Sequence, residues 1–190
     1  MRLFLAVLMT VGFGFLLLRN STASAKNQAV PHTYRSPVSY TVSYRNLPAA
    51  QQTIVKAALH DWERATSQTA RPIHFQTLPE SQDCIPIVES HLICLWDATA
   101  EQIGWLEAQG GLAGALAGIT NRLPNGSSDI LVNISATPAW ALSEVWRHEI
   151  GHSLGLLHSR AGTLMCEGIE CASPNITQAD VAQYLKVSGN

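Results

Sequence analysis

Charge is scarce in this chain. Lysine, arginine, aspartate and glutamate make up 14% of its 190 residues, and the formal net charge is -2. No stretch gathers lysine and arginine into a basic patch, which excludes the electrostatic footprint of a nucleic-acid binder. Cysteine is also rare: there are four, and none precedes Cys84. No internal repeat is present, so repeat architectures are excluded. Hydrophobic residues, at 46%, are too many for a disordered chain and enough for one core, while the length is short for two.

The one long apolar run is at the start. Arg2 supplies a positive beginning, residues 3–18 are apolar, and Ala23, Ser24 and Ala25 form a small-residue cleavage site before Lys26. Residues 1–25 therefore read as a secretory signal peptide. An uncleaved membrane anchor is the alternative, disfavoured because the run is marginal in length and broken by Thr10, Gly12 and Gly14. Removing Arg2 and Arg19 leaves 10 basic residues against 14 acidic ones, a charge of about -4. Residues 26–37, polar with two prolines, read as an exposed arm, and residues 38–190 as one domain.

An even number of cysteines suits an oxidising compartment, secreted, extracellular or periplasmic. Sequence alone allows three connectivities. Cys84 and Cys94 bracket two short β-type runs, residues 85–88 and 92–93, which suits a bridge across a hairpin; Cys166 and Cys171 enclose a small loop. These two pairs are the expectation. A cysteine metal site is the competing reading, but neither pair has CxxC spacing.

Three of the seven histidines stand in residues 148–165, which read HEIGHSLGLLHSRAGTLM. On a helix His148 and His152 are i and i+4, so both rings leave one face a turn apart and a single cation can take a nitrogen from each. Glu149 is placed to reach the attacking water rather than the metal. A sharp reversal after the helix needs a residue tolerant of positive φ, which Gly155 is, and His158 can then return as a third ligand. Three nitrogens leave a fourth tetrahedral position open, as in a catalytic zinc site. An accidental HExxHxxGxxH is expected on the order of a few times in 100,000 chains of this composition, so coincidence is a poor rival. Any one of these histidines alone would read as an ordinary helix residue.

With a methionine following, this stretch resembles the metzincin zinc endopeptidases, and Ser159 with Thr163, Leu164 and Met165 makes it most similar to matrixins. The resemblance implies an α+β fold, a metzincin-like zincin domain. It would have a twisted, mostly parallel sheet with an antiparallel edge strand over the cleft, two long helices, and a small C-terminal subdomain with a final helix. It implies one catalytic zinc on His148, His152 and His158, Glu149 as the base, and Met165 as an apolar floor beneath the ligands. Substrate would be a protein or peptide, held in extended form by the edge strand, with Leu112 and Ala113 at the positions that do this in the family. Gly114 stands where matrixins carry a histidine for a second zinc, so no structural zinc is expected.

Two features depart from the family. Cys166 and Glu167 follow Met165 where matrixins often have Tyr-Pro, so side-chain preference is not carried over. With no cysteine before Cys84, latency through a propeptide cysteine is absent. Oxygen-rich side chains between Asn121 and Asp129 leave calcium as a weaker candidate. A monomer is expected, acting on peptide bonds and failing in acid as the ligand histidines protonate. A catalytically silent zinc-binding module and a cell-wall peptide hydrolase are the alternatives. Glu149 argues against the first and the methionine turn against the second.

Residues 38–44 alternate as a half-buried strand. Pro48 opens a helix to about Ser67 with Ile54, Val55, Ala58, Leu59 and Trp62 on one side, and residues 73–77 are a second strand. This order, with a late tryptophan in the helix, resembles the opening of a matrixin domain. His60 and His74 read as surface or core residues. Residues 121–128 read as a turn and 129–134 as an interior strand. Thr137-Pro138 predicts a helix start, with Leu142, Val145, Trp146 and Ile150 toward the core. Thr177 to Asp180 predicts a last helix through Val181, Tyr184 and Leu185. Asn125, Asn133 and Asn175 head glycosylation triplets.

Overall fold

In β1, Val38–Ser43, every second side chain is apolar, and Val38, Tyr40 and Val42 go into the core as a strand's two-residue period requires. The computed structural model describes residues 38–86, 89–99, 101–102, 117–168 and 171–189. The leader, the N-terminal arm, and Leu112, Ala113 and Gly114 lie outside the described residues.

β1 is joined by β2, Ile73–Thr77, β3, Leu92–Asp97, β4, Gly118–Arg122, and β5, Ser128–Val132. They form one sheet in the order β2-β1-β3-β5-β4. All pairings are parallel except the last, in which β4 runs antiparallel to β5 with Thr120 opposite Ile130. With the three helices named among the described residues, the domain is α+β and the sheet mostly parallel.

The central strand explains the sheet's two faces. β3 reads Leu-Ile-Cys-Leu without alternation, the pattern of a strand buried on both sides. Ile93 and Leu95 enter the main core; Leu92 and Cys94 enter a second, smaller cluster with Leu78. The Cys84–Cys94 disulfide, Cα to Cα 5.8 Å, closes that second cluster. Here the expected hairpin fails. Both edges of β3 are taken, by β1 and β5, so residues 85–86 have no edge to pair with, and the disulfide ties a loop to the strand instead.

Two helices cover the main core. α1, Ala49–Thr66, buries Val55, Ala58, Leu59 and Trp62 at helical spacing. α2, Leu142–Ser153, buries Leu142, Val145, Trp146 and Ile150. The two helices are stitched by polar bonds between otherwise apolar faces. The Trp62 indole donates to the Arg147 carbonyl (2.9 Å), the Trp146 indole to Gln51 Oε1 (3.2 Å), and the Arg147 guanidinium to Asp61 (2.8 Å). The final helix, α3, Gln178–Gly189, buries Tyr184, whose hydroxyl donates to the Arg71 carbonyl. No helix among the described residues is long and apolar enough to cross a membrane.

The start of α2 is a second correction. Thr137 does not cap a helix: its hydroxyl donates to the Asn133 carbonyl at 2.7 Å, and Asn133 Oδ1 accepts from Ala136 N and Ser135 Oγ. That local turn ends β5 at Val132, before Ile134, and Pro138 opens a separate turn closed by Ala141 N, so the helix begins at Leu142.

Trp62→Phe keeps most of the buried ring but removes the indole's bond to the Arg147 carbonyl, which lies inside α2. A loss of about 0.5–1.5 kcal/mol in unfolding free energy is expected, measured by urea titration.

Candidate metal centre

The apolar stripe of α2 fixes which way its other face looks, and His148 and His152 stand on that other face. α2 then stops abruptly. Gly155 has φ of 94°, in the left-handed region, and the Gly155 and Leu156 amides donate to the His152 and Gly151 carbonyls to close the end. The chain turns back, and His158 arrives beside the helix. His152 Nε2 lies 3.0 Å from His148 Nε2 and 3.2 Å from His158 Nε2. Among the described residues these three form the one cluster of at least three histidine, cysteine or carboxylate groups with metal-ligand spacing.

Two backbone carbonyls set the state of the rings. His148 Nδ1 is 2.8 Å from the Leu164 carbonyl, and His152 Nδ1 is 2.8 Å from the Leu156 carbonyl. A carbonyl only accepts, so each Nδ1 carries the hydrogen and each Nε2 presents a lone pair. Lone pairs crowded together repel. The donor set therefore fits a cation, and the anchoring of the opposite ring nitrogen is the usual companion of an imidazole ligand. Burial pushes the His152 pKa down to about 4, helped by His148. Burial also lowers that of His158.

Met165 is fully buried beneath the helix. Its contact explains a residue that sequence reasoning passed over: a β-carbon on Gly151 would meet Met165 Sδ at 2.5 Å and Trp62 Cζ2 at 3.1 Å. The turn holding Met165 is in turn held by Asp180, wholly buried in the first turn of α3. The Asp180 carboxylate accepts from the amides of Leu164 (3.1 Å), Met165 (3.3 Å) and Thr177 (2.8 Å) and from the Thr177 hydroxyl (2.6 Å). Thr177 with Asp180 three residues on is a capping pattern visible in sequence. That the same carboxylate reaches back to the peptide whose carbonyl orients His148 is not visible there. Cys166 and Cys171 are bonded, Cα to Cα 5.9 Å, directly after this turn.

Glu149 is buried, and burial raises its pKa against the opposing pull of His148, Thr120 and His158. Oε2 accepts from the Thr120 hydroxyl at 2.7 Å. Thr120, like Gly151, gave no signal in the sequence, because a lone threonine in a short strand has none.

The remaining candidates lie elsewhere. His60 and His74 are exposed and outside the cluster. In the 121–129 loop, Asn125 Oδ1 accepts from Ser127 N and Asp129 Oδ1 from the Trp96 indole. Asn121 and Arg122 belong to β4 and Ser128 to β5, so the turn there is shorter than expected, residues 123–127.

The fold and site together define a three-histidine centre with a buried carboxylate on an α+β domain. No family model matches the sequence, and no curated protein sequence matches it. Among solved structures the chain is similar to metalloproteinase-II from Bacteroides fragilis, with 12% identity and a TM-score of 0.47 over 84% of this chain and 55% of that one. It is also similar to archaemetzincin from Methanopyrus kandleri, with 14% identity and a TM-score of 0.45 over 82% of this chain and 97% of that one. The chain thus spans little more than half the length of the Bacteroides protein.

In metal-free protein the unfolded chain takes up a proton at His152 near its ordinary 6.5, while the folded chain holds it neutral down to about 4. Stability should therefore fall as pH drops through that window, by at most about 3 kcal/mol from this residue, in urea midpoints read with chelator present. Asp180→Ala is expected to lower stability and to weaken zinc binding roughly tenfold in chelator competition, since the Leu164 peptide that orients His148 loses its anchor.

Proposed function

We propose that the chain is an exported zinc-dependent endopeptidase, the activity implied by its resemblance to matrixin-like metzincins. One observation carries the reading: His152 Nε2 lies within hydrogen-bonding distance of both His148 Nε2 and His158 Nε2, all three within 4.8 Å of one another, with a buried carboxylate beside them in the helix. An all-imidazole set with room for a fourth ligand suits catalytic zinc. Zinc held by His148, His152 and His158 supplies Lewis acidity toward a carbonyl oxygen and lowers the pKa of water.

The chain's own residues do the rest. Glu149 takes the proton from the water that attacks the scissile carbonyl and returns it to the amine nitrogen as the C–N bond breaks. A carboxyl raised by burial is suited to both halves of that cycle. Among the described residues β4 pairs with β5 on one side only, and its other edge would offer backbone donors and acceptors to an extended peptide. Leu112 and Ala113, upstream of β4 in sequence, are proposed to share in that grip. The two disulfides support an extracellular or periplasmic location. Loss of the leader and a monomeric state are part of the proposal.

The test is purified protein on denatured casein. Activity is expected with one zinc per chain, loss on chelation, and recovery when zinc is restored. Glu149→Gln should retain zinc and lose roughly a hundred- to ten-thousandfold in kcat. Zinc retained by wild-type protein that cleaves no protein would overturn the reading in favour of a binding module. Cleavage confined to cross-linked wall peptide would overturn it in favour of a wall hydrolase.

A further inference from the structure

β4 and α2 lie together in a way the reaction alone does not require. A strand advances about 6.7 Å every two residues and a helix about 6 Å every four, so alternate residues of one can keep step with successive turns of the other. Here they do. Gly118, Thr120 and Arg122 share one face of β4. A β-carbon on Gly118 would come within 2.9 Å of the Glu149 side chain, at Cγ and Oε1. The Thr120 hydroxyl lies 2.7 Å from Glu149 Oε2 and 3.0 Å from the Glu149 carbonyl. Arg122 Nε donates to the carbonyl of Ser153, one turn further along α2.

We propose that Thr120 is a positioning residue for Glu149, which it holds by one oxygen so that the other is left to carry the proton. This rests on the peptidase reading above. A carboxylate in a helix has several rotamers, and a base must hold one of them to within a fraction of an ångström. The hydroxyl engages Oε2, and no described residue donates a hydrogen bond to Oε1. Oε1 is then the atom that accepts a proton from water and gives it to the leaving nitrogen, while the Thr120 bond to Oε2 persists throughout. Gly118 completes the seat by its lack of a side chain: any β-carbon there would drive the carboxylate from its place. Because both residues stand on the strand offered to substrate, a peptide that pairs with β4 is registered against the same strand that registers the base.

The test compares full-length wild type with Thr120→Val, which keeps the shape and loses the hydroxyl, and Thr120→Ser, which restores it. A quenched fluorescent peptide taken from a casein cleavage site is the substrate. In Thr120→Val, kcat is expected to fall roughly ten- to a hundredfold with KM within about twofold and zinc content unchanged, and Thr120→Ser is expected to stay within about threefold of wild type. A crystal structure of metal-free Thr120→Val should show the Glu149 carboxylate turned from its wild-type rotamer or divided between rotamers. Should valine prevent folding, Thr120→Ala carries the same comparison.

Undiminished kcat in Thr120→Val, or loss of zinc together with kcat, would overturn the proposal, as would an unmoved carboxylate in the crystal. If wild type cleaves nothing, the peptidase reading fails by itself, and the crystal structure still decides whether Thr120 holds the carboxylate.

Discussion

Ring nitrogens of His148 and His152 with their lone pairs turned on each other are an unfavourable arrangement for a folded protein to maintain. His148 and His152 are kept that way by carbonyls that take the hydrogen on the far side of each ring, and burial keeps His152 from relieving the repulsion by protonation near neutral pH. The rest of the site follows from this constraint. A fold that holds neutral imidazoles in convergence has its metal affinity built in before any metal arrives, because the cost of assembling the donors is already met by packing elsewhere.

That packing can be traced outward. His148 depends on the Leu164 carbonyl, and the Leu164 amide depends on Asp180, which belongs to a helix beginning some 30 residues after the motif starts. His152 depends on the Leu156 carbonyl, which is within reach because Gly155 reverses the chain. Met165 fills the space under α2 that Gly151 leaves open. His148 is thus held through backbone that another element positions, and His152 through the turn that ends its own helix. A buried carboxylate such as Asp180 is tolerable in that place because four donors meet it.

β4 serves α2 from the opposite side. Among the described residues its outward edge is unpaired, while its inward face touches Glu149 and Ser153. In the proposed reaction one short strand would relate the base, the helix carrying two ligands, and the path of the peptide. Among the described strands β4 is the antiparallel one, joined to β5 by the short turn at 123–127.

Local pattern was enough for much of the chain. The i, i+4 histidines, the glycine that must turn, the two strands 38–43 and 73–77 and the apolar stripe of α1 are legible because helices and strands have fixed periods, and glycine alone relaxes at positive φ. Pattern failed where a competing partner, near or remote, takes the group first. Thr137 has the chemistry of a cap, but Asn133 engages its hydroxyl first; residues 85–86 have the composition of a strand, but both edges of β3 are occupied. Thr120, Gly118 and Gly151 carry no signature, since their roles are contacts with side chains 14 or more residues away, and the capping pattern of Asp180 does not show its reach to Leu164 and Met165. The sequence by itself determined which atoms could bind a metal. Only the tertiary structure decided which carbonyls, hydroxyl and carboxylate would hold those atoms in place, because hydrogen bonds between elements depend on how the elements pack and not on their order along the chain.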